Sequence, residues 1–351
     1  STLSSSSAAS DVYKRQESYF TDTETQLDLD MLTYSGAPVY YWGTPLWMYT
    51  FSVGFLNSNQ SKPDIISMSW GWAESQQCSV VQCNGIDSRT YVDRTNTEFA
   101  KMGLNGTTIV VSSGDAGAPS RVDPTCTGSV NDPDFPASSP YVTTVGAVYL
   151  EMNQDRHGSD YRNRSDYWTP LCQQYGCATG STPRNTNYNE TGWTSGGGFS
   201  NFTSSPVWQQ QQVNEYINSG VYLPPNDRWN KTGRGYPDVT AIGHACPVFD
   251  AFGFSSSTDF KPSGIDGTSC SSPMFAAMLA MLPGPIGPIT PTLYAMYRDN
   301  SSIFLDPTVG SNHGTSAMSC PETYGYEATK GWDPVYGLGL MNVQAAIDWF
   351  G

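Results

Sequence analysis

The chemistry this chain could do starts at Ser269, in Gly267-Thr268-Ser269-Cys270-Ser271-Ser272-Pro273, at the head of the apolar run 272–282. A serine at a helix start feels the positive end of the helix dipole. Gly267 and the small Thr268 leave room for a substrate backbone to approach. Pro273 is expected in the first turn, where proline is tolerated. An ordinary N-cap serine looks the same, so the motif needs a partner base to become a nucleophile. Histidine is the usual base, and the chain has three: His157 and His313 in polar loop sequence, and His244 in Ala-Ile-Gly-His-Ala-Cys-Pro near a strand. None has a setting that marks it as a base, and each is expected to be structural. A second Gly-Thr-Ser string, Gly314-Thr315-Ser316, has no apolar helix after it to open.

Carboxylates offer another base. Glu24 and Asp28 stand at i, i+4 in a helical stretch, so both project from one helix face. Two close carboxylates resist double ionisation, so one keeps a proton and the pair can act as a base with its support. Solvated pairs at this spacing are also common. Asp115, in Ser112-Ser113-Gly114-Asp115-Ala116-Gly117, follows a continuous β-branched run. Sites in α/β sheets form at the carboxyl ends of strands. An aspartic acid kept protonated there could donate a hydrogen bond to a developing oxyanion. A turn aspartate between glycines has the same sequence appearance.

The elements that must position these residues read as alternating helices and strands. Helices are predicted near 17–34, 90–103, 206–218, 272–282 and 342–349, and strands at 63–69, 107–113 and 141–150. The run 107–113 is apolar on both faces, as in a buried parallel strand. The pattern implies an α/β fold around a largely parallel sheet. The stretch 151–200 is polar and reads as loop. No internal repeat or dividing linker is evident. Residues 1–16 are Ser-rich and aperiodic and read as a processing or cloning remnant, leaving 17–351 as one catalytic domain.

Composition narrows the function. The formal charge is −15 over 351 residues, which argues against nucleic-acid binding and suits work at low pH and simple solubility equally. No apolar run is long enough to span a membrane. Eight cysteines, without Cys-x-x-Cys spacing or nearby histidines, argue against zinc and for disulfides. Cys78/Cys83 and Cys172/Cys177 look like local loops; the full connectivity is open. Seven Asn-x-Ser/Thr sequons, at Asn59, Asn105, Asn163, Asn189, Asn201, Asn230 and Asn300, favour a secretory route.

Glu-x-x-x-Asp, then Ser-Gly-Asp, then Gly-Thr-Ser-x-Ser-x-Pro, in that order, resembles the sedolisins, or serine-carboxyl peptidases, which include the tripeptidyl-peptidases. Ser67-Met68-Ser69-Trp70-Gly71, the stretch from Phe135, SGGGFS from Ser195, YPDVTA from Tyr236 and GWDPVYGLG from Gly331 also look like that family, over about residues 20–350. The resemblance implies a subtilisin-like three-layer α/β fold and hydrolysis of peptide or protein substrates in acid. It assigns Ser269 as nucleophile, Glu24 as base, Asp28 as its support and Asp115 to the oxyanion. It has Ser69, Trp70 and Gly71 pair with extended substrate through their backbone. Activity is then expected to fall as pH rises above about 6. One calcium site is implied, with the Asp306 and Asp333 side chains and the Pro307, Thr329 and Gly331 carbonyls as oxygen ligands.

The resemblance also implies a prosegment in the precursor and more catalytic domain before Glu24. The fold is therefore expected to be shortened on its N-terminal side, with sheet strands left unpaired. A secreted, lysosomal or vacuolar location follows from the same family. Endopeptidase and tripeptidyl-peptidase action both remain open. The alternatives are a serine hydrolase of another class, such as an esterase, and a secreted glycoprotein that keeps the fold without activity.

Overall fold

A computed structural model describes residues 23–43, 46–152, 181–248, 263–284 and 286–351. His157, Asn163, Cys172, Cys177 and the segment 1–22 lie outside them. The helices of two turns or more are α1 (Thr23–Thr33), α2 (Met48–Asn57), α3 (Ser88–Leu104), α4 (Gln210–Ile217), α5 (Thr268–Leu279), α6 (Thr290–Asp299) and α7 (Val343–Phe350). The strands are β1 (Ile65–Met68), β2 (Trp72–Ala73), β3 (Thr108–Ser112), β4 (Asp134–Phe135), β5 (Thr143–Met152), β6 (Ser181–Asn185) and β7 (Gly198–Ser204). After them come β8 (Gly233–Tyr236), β9 (Val239–Ile242), β10 (Cys246–Val248), β11 (Ser263–Ile265), β12 (Phe304–Leu305) and β13 (Leu340–Met341).

The main sheet runs β1-β3-β5-β9-β13-β12, with β6 added to β5. Its first five strands are mutually parallel; β12 and β6 pair antiparallel. Every residue of β3 is buried, and its two faces feed different layers. Val110 joins Val145 and Val239 against Phe275 and Leu279 of α5. Ile109 and Val111 join Phe55 of α2 and Val92 and Phe99 of α3. This is the three-layer arrangement that a continuous apolar strand demands.

The sequence misplaces three features. The stretch 151–200 is not all loop: β6 pairs with the distal half of β5, from Val148↔Asn185 to Met152↔Ser181. Its sequence, Ser-Thr-Pro-Arg-Asn, is too polar to read as a strand. The helix that carries Ser269 begins at Thr268 rather than Ser272, because its first turn is polar and periodicity tracks only apolar residues. Pro273 is therefore its sixth residue and lies beyond the first turn.

Among the described residues β1 pairs only with β3, and its four residues are half-exposed. β1 is thus an edge strand of the main sheet among the described residues. Disulfides join Cys78 to Cys83, Cys126 to Cys320 and Cys246 to Cys270. The first is the local loop expected from spacing; the other two span 194 and 24 residues and have no local signature. Four sequon asparagines, Asn59, Asn105, Asn189 and Asn300, are exposed. Those of Asn201 and Asn230 are half-buried, with amides bonded to the Asn131 and Ser200 carbonyls.

Candidate active site

The N-terminus of α5 has an unusual cap. Gly267, at the N-cap, has no side chain to offer, and Asp115 supplies the acceptor from the end of β3. Its Oδ1 accepts from Thr268 N at 2.8 Å and from Thr268 Oγ1 at 2.8 Å. Thr268 Oγ1 in turn accepts from Gly114 N at 3.1 Å. Gly267 has φ +146°, and a Cβ there would approach Asp115 Oδ2 at 3.3 Å, so the position suits glycine.

Ser269 is 9% exposed, and its Oγ lies 3.4 Å from the Ser69 carbonyl, at the weak end of hydrogen bonding. Pro273 has no N–H to give to the carbonyl four residues back, which is that of Ser269. Ser69 Oγ approaches this freed carbonyl at 3.4 Å.

Helix α1 carries the two other carboxylates. Leu27 and Met31 are fully buried against the Cys246–Cys270 disulfide and Val248. Residues 24, 27, 28 and 31 fall on one helical face, so the apolar pair that docks α1 also turns Glu24 and Asp28 inward. Asp28 Oδ1 accepts from Ser69 Oγ at 2.6 Å. Glu24 lines a cavity of about 160 Å³ together with Ser69, Trp70, Asp115 and Ser269. Gly71 also faces this cavity, and a Cβ on it would come 3.0 Å from the Phe135 carbonyl. Glu24, Asp115 and Ser269, far apart in sequence, thus share one space.

Burial raises the Asp115 carboxyl above the ordinary aspartate range, against the Thr268 hydrogen bonds and the Arg121 charge, which lower it. Desolvation penalises the charged form, so Asp115 holds its proton to higher pH than a surface aspartate would.

The described histidines do not join this group. His244 is buried with Nδ1 3.0 Å from Asp266 Oδ1. His313 Nδ1 is 2.9 Å from the Cys320 carbonyl. Neither lines the cavity, and Ser316 is on an exposed turn. Sequence reasoning missed the Thr268 contacts with Asp115 and the Ser69 hydroxyl on Asp28. It also missed Arg121 and Asp134, which line the same cavity. Asp134 directly precedes a stretch that carried the family resemblance, and that was its only signal.

A second acidic locus lies in the C-terminal loops. Asp333 is fully buried; its Oδ1 accepts from Val335 N and Tyr336 N, and its Oδ2 from Thr329 N. Asp306 Oδ2 accepts from Gly331 N at 2.7 Å, while Oδ1 is shielded and has no hydrogen-bond partner. Burial lifts the Asp306 carboxyl to about 6 and raises Asp333, which Asp306 raises further. Among the described residues no hydrogen bond reaches the carbonyls of Pro307, Thr329 or Gly331. No group of three or more His, Cys, Asp or Glu side chains that could hold a metal occurs among them either. Two acids beside unengaged carbonyls fit a hard, oxygen-seeking cation.

The subtilase family model matches residues 41–291, which include Asp115 and Ser269 and exclude Glu24, Asp28 and the C-terminal locus. Physarolisin of Physarum polycephalum is 39% identical over 334 residues, covering 91% of this chain and 55% of that protein. Tripeptidyl-peptidase 1 of Bos taurus is 30% identical over 351 residues, covering 92% and 51%. The chain thus spans about half the length of the curated relatives it matches. A solved structure of Pseudomonas sedolisin, a serine-carboxyl proteinase complexed with two molecules of pseudo-iodotyrostatin, superposes with TM-score 0.66 at 21% identity. It covers 95% of this chain and 80% of that chain. That likeness is one of fold, and it places the three layers in the subtilisin-like arrangement. The chain belongs to the subtilase family and, within it, to the sedolisins, with tripeptidyl-peptidases among its relatives.

Proposed function

We propose that this chain is the catalytic part of an acid-acting serine-carboxyl peptidase, with Ser269 as nucleophile. The observation that carries the reading is the convergence of Ser269, Glu24 and Asp115 on one cavity from α5, α1 and the end of β3.

In this reading Ser269 Oγ attacks the peptide carbonyl carbon and passes its proton to Glu24. The C–O bond forms as the carbonyl π pair moves onto oxygen. Asp115 meets that oxygen. Its Oδ1 already accepts two hydrogen bonds from Thr268, which leaves Oδ2 to carry the proton and donate. When the tetrahedral intermediate collapses, the C–N bond breaks and Glu24 returns the proton to the leaving amine. Water, deprotonated by Glu24, then attacks the acyl carbon; the Oγ–acyl bond breaks and Glu24 returns the proton to Ser269 Oγ, freeing the acid product. Asp28 supports the base from the same helical face and is itself held by Ser69 Oγ. Trp70 is 55% exposed at the cavity and, with Ser69 and Gly71, offers a backbone edge to extended peptide.

Asp306 and Asp333, with the Pro307, Thr329 and Gly331 carbonyls, are the proposed holders of one calcium ion. Bound there, it would neutralise the buried Asp333 and half-buried Asp306 carboxylates and tie the segment after β12 to the loop before β13. The three disulfides among the described residues support an oxidising, secretory or lysosomal setting. Among the described residues no helix is long and apolar enough to cross a membrane.

Turnover of an unstructured peptide at pH 4 tests the reading. The wild type should cleave it and Ser269→Ala should not; equal turnover by both would remove Ser269 from the mechanism.

A further inference from the structure

Next to the start of α5 lies a buried acid–base pair that the peptide-cleavage chemistry does not use. Asp266 directly precedes Gly267, the N-cap of α5, and His244 stands in the turn between β9 and β10. His244 Nδ1 is 3.0 Å from Asp266 Oδ1, and the two side chains are 2% and 6% exposed. The same oxygen accepts from Ala245 N at 2.8 Å. The Gly267 N–H donates back to the Gly243 carbonyl at 2.9 Å. Cys246, next in the turn, is joined by a disulfide to Cys270, next after Ser269. The turn at 243–246 thus grips the chain on both sides of the serine.

The fit of this turn is close. Ala245 has φ +55°, in the left-handed region that a side chain disfavours. A Cβ on Gly243 would come 2.8 Å from the Gly267 carbonyl oxygen and 2.6 Å from the Ala147 Cβ. Disfavoured backbone persists where its surroundings over-determine it, and such places cluster at functional sites. Stability alone gives little reason for a buried acid–base pair, since apolar packing serves as well.

We infer that Asp266, held by His244, is a positioning residue for the peptidase reaction, acting on Ser269 and Asp115 through the backbone at Gly267 and through its charge. This deepens the peptidase reading above and rests on it. Thr268, whose N–H orients Asp115, follows Gly267 directly, and Ser269 follows Thr268. A shift at 266–267 therefore moves the nucleophile and the contact that orients Asp115 together. Misplacement by about 1 Å can cost about 10²-fold in rate.

The charge acts alongside the geometry. The titratable and charged groups around Asp115 are Glu24 of α1, Asp134 of β4, Arg121 of the loop between these strands, and Asp266 with His244 behind it. Against His244 stands the Tyr149 ring of β5, T-shaped at 6.1 Å, whose hydroxyl donates to Glu190. Burial is the largest cause that raises the Asp115 carboxyl, the Thr268 bonds and Arg121 oppose it, and Asp266 adds to the rise. An ionised Asp266 thus helps Asp115 keep its proton.

The test compares Asp266→Ala, Asp266→Asn, His244→Phe and His244→Asn on one peptide at pH 4, with circular dichroism to confirm folding. Asp266→Ala and His244→Phe should lower kcat by about 10- to 100-fold with little change in KM. Asparagine at 266 keeps the acceptor without the charge, and asparagine at 244 can place a donor where Nδ1 stood, so both should regain most of that loss. Asp266→Asn should also move the alkaline limb of the pH–rate profile to lower pH. Wild-type kcat in folded Asp266→Ala and His244→Phe, or an Asp266→Asn profile that superposes on the wild type, would overturn the inference. Should Asp266→Ala fail to fold, the Asp266→Asn profile decides by itself. The Asp115 carboxyl carbon shift, titrated by NMR in Ser269→Ala, needs no turnover and should titrate at lower pH once Asp266→Asn is added. If no peptide is cleaved the peptidase reading fails, while a lowered Asp115 titration still upholds the Asp266 coupling and an unmoved one removes it.

Discussion

Asp115 and Thr268 are joined by two hydrogen bonds on one oxygen: Oδ1 of Asp115 accepts both the backbone N–H and the hydroxyl of Thr268, each at 2.8 Å. The aspartate thereby caps α5 and is itself oriented, with both Thr268 bonds on Oδ1; the proposed mechanism uses Oδ2. Asp115→Ala should lower kcat by about 10²–10³, the usual cost of an oxyanion donor. Asp115→Asn keeps a donor that does not titrate. It should lose less and should push the alkaline limb of the pH–rate profile upward. In the wild type the rate should fall as pH rises through the raised Asp115 value. A profile with the same alkaline limb in both proteins would exclude Asp115 as the titrating donor.

The Ser69 hydroxyl links the end of β1 to Asp28 on α1 at 2.6 Å. Hydrogen bonds to charged groups contribute about 1.5–3 kcal/mol. Ser69→Ala should therefore reduce kcat by about 10- to 100-fold while KM changes little, since backbone pairing with substrate is kept. Steady-state kinetics at pH 4 with circular dichroism as a folding control would check this. A change confined to KM would place Ser69 in substrate binding alone.

Stability should be greatest in acid. Burial raises Glu74 from 4.5 to about 7, although hydrogen bonds from Ser200 Oγ and Asn201 N pull it down. Asp134 rises from 3.8 to about 6. A carboxyl whose folded value is raised binds its proton more tightly when folded. Between the ordinary and the raised values the unfolded chain carries fewer protons, so stability falls with rising pH. From Glu74 alone the change between pH 4.5 and 7 is on the order of 3 kcal/mol. Thermal unfolding should show the highest Tm near pH 4 and a steady decline to pH 7. Glu74→Gln, which mimics the protonated acid, should make that decline shallower; an identical slope would clear Glu74.

Calcium should act in the opposite sense at the C-terminal locus, where it favours ionised Asp306 and Asp333. Adding calcium at a hundredfold excess over its Kd would stabilise the fold by about 2.7 kcal/mol. Chelation should reverse that shift, and Asp306→Asn should abolish most of it. Differential scanning calorimetry with and without chelator reads this directly, and a Tm indifferent to calcium in the wild type would remove the site.

Much of this was legible in the residues, and the limits are physical. The buried parallel strands declared themselves because β3 is apolar on both faces. The carboxylate face of α1 followed from helical period alone. What escaped were features made by distant contact. The α5 start is polar because Asp115, 153 residues earlier, provides its cap. β6 is a strand because β5 extends beyond β3 and offers an edge, not because Ser181–Asn185 favours one. Cys126–Cys320 and Cys246–Cys270 close loops with no local signature. Some flanking motifs prove structural as well: Asp238 of Tyr-Pro-Asp pairs with buried Arg234 at 2.5 Å and accepts from Thr144 N and Tyr294 Oη. Arg121 had no local signal and Asp134 only its place before the Phe135 stretch; the fold brings both to the cavity that Ser269 lines.

The most direct test of the central claim is to trap the acyl-enzyme. A slowly deacylating peptide ester mixed with the protein at pH 4, quenched in acid and digested, should leave the acyl mass on the fragment containing Ser269. Ser269→Ala should show none, and Glu24→Gln should form it far more slowly. An adduct on any other residue, or one that persists in Ser269→Ala, would contradict the account.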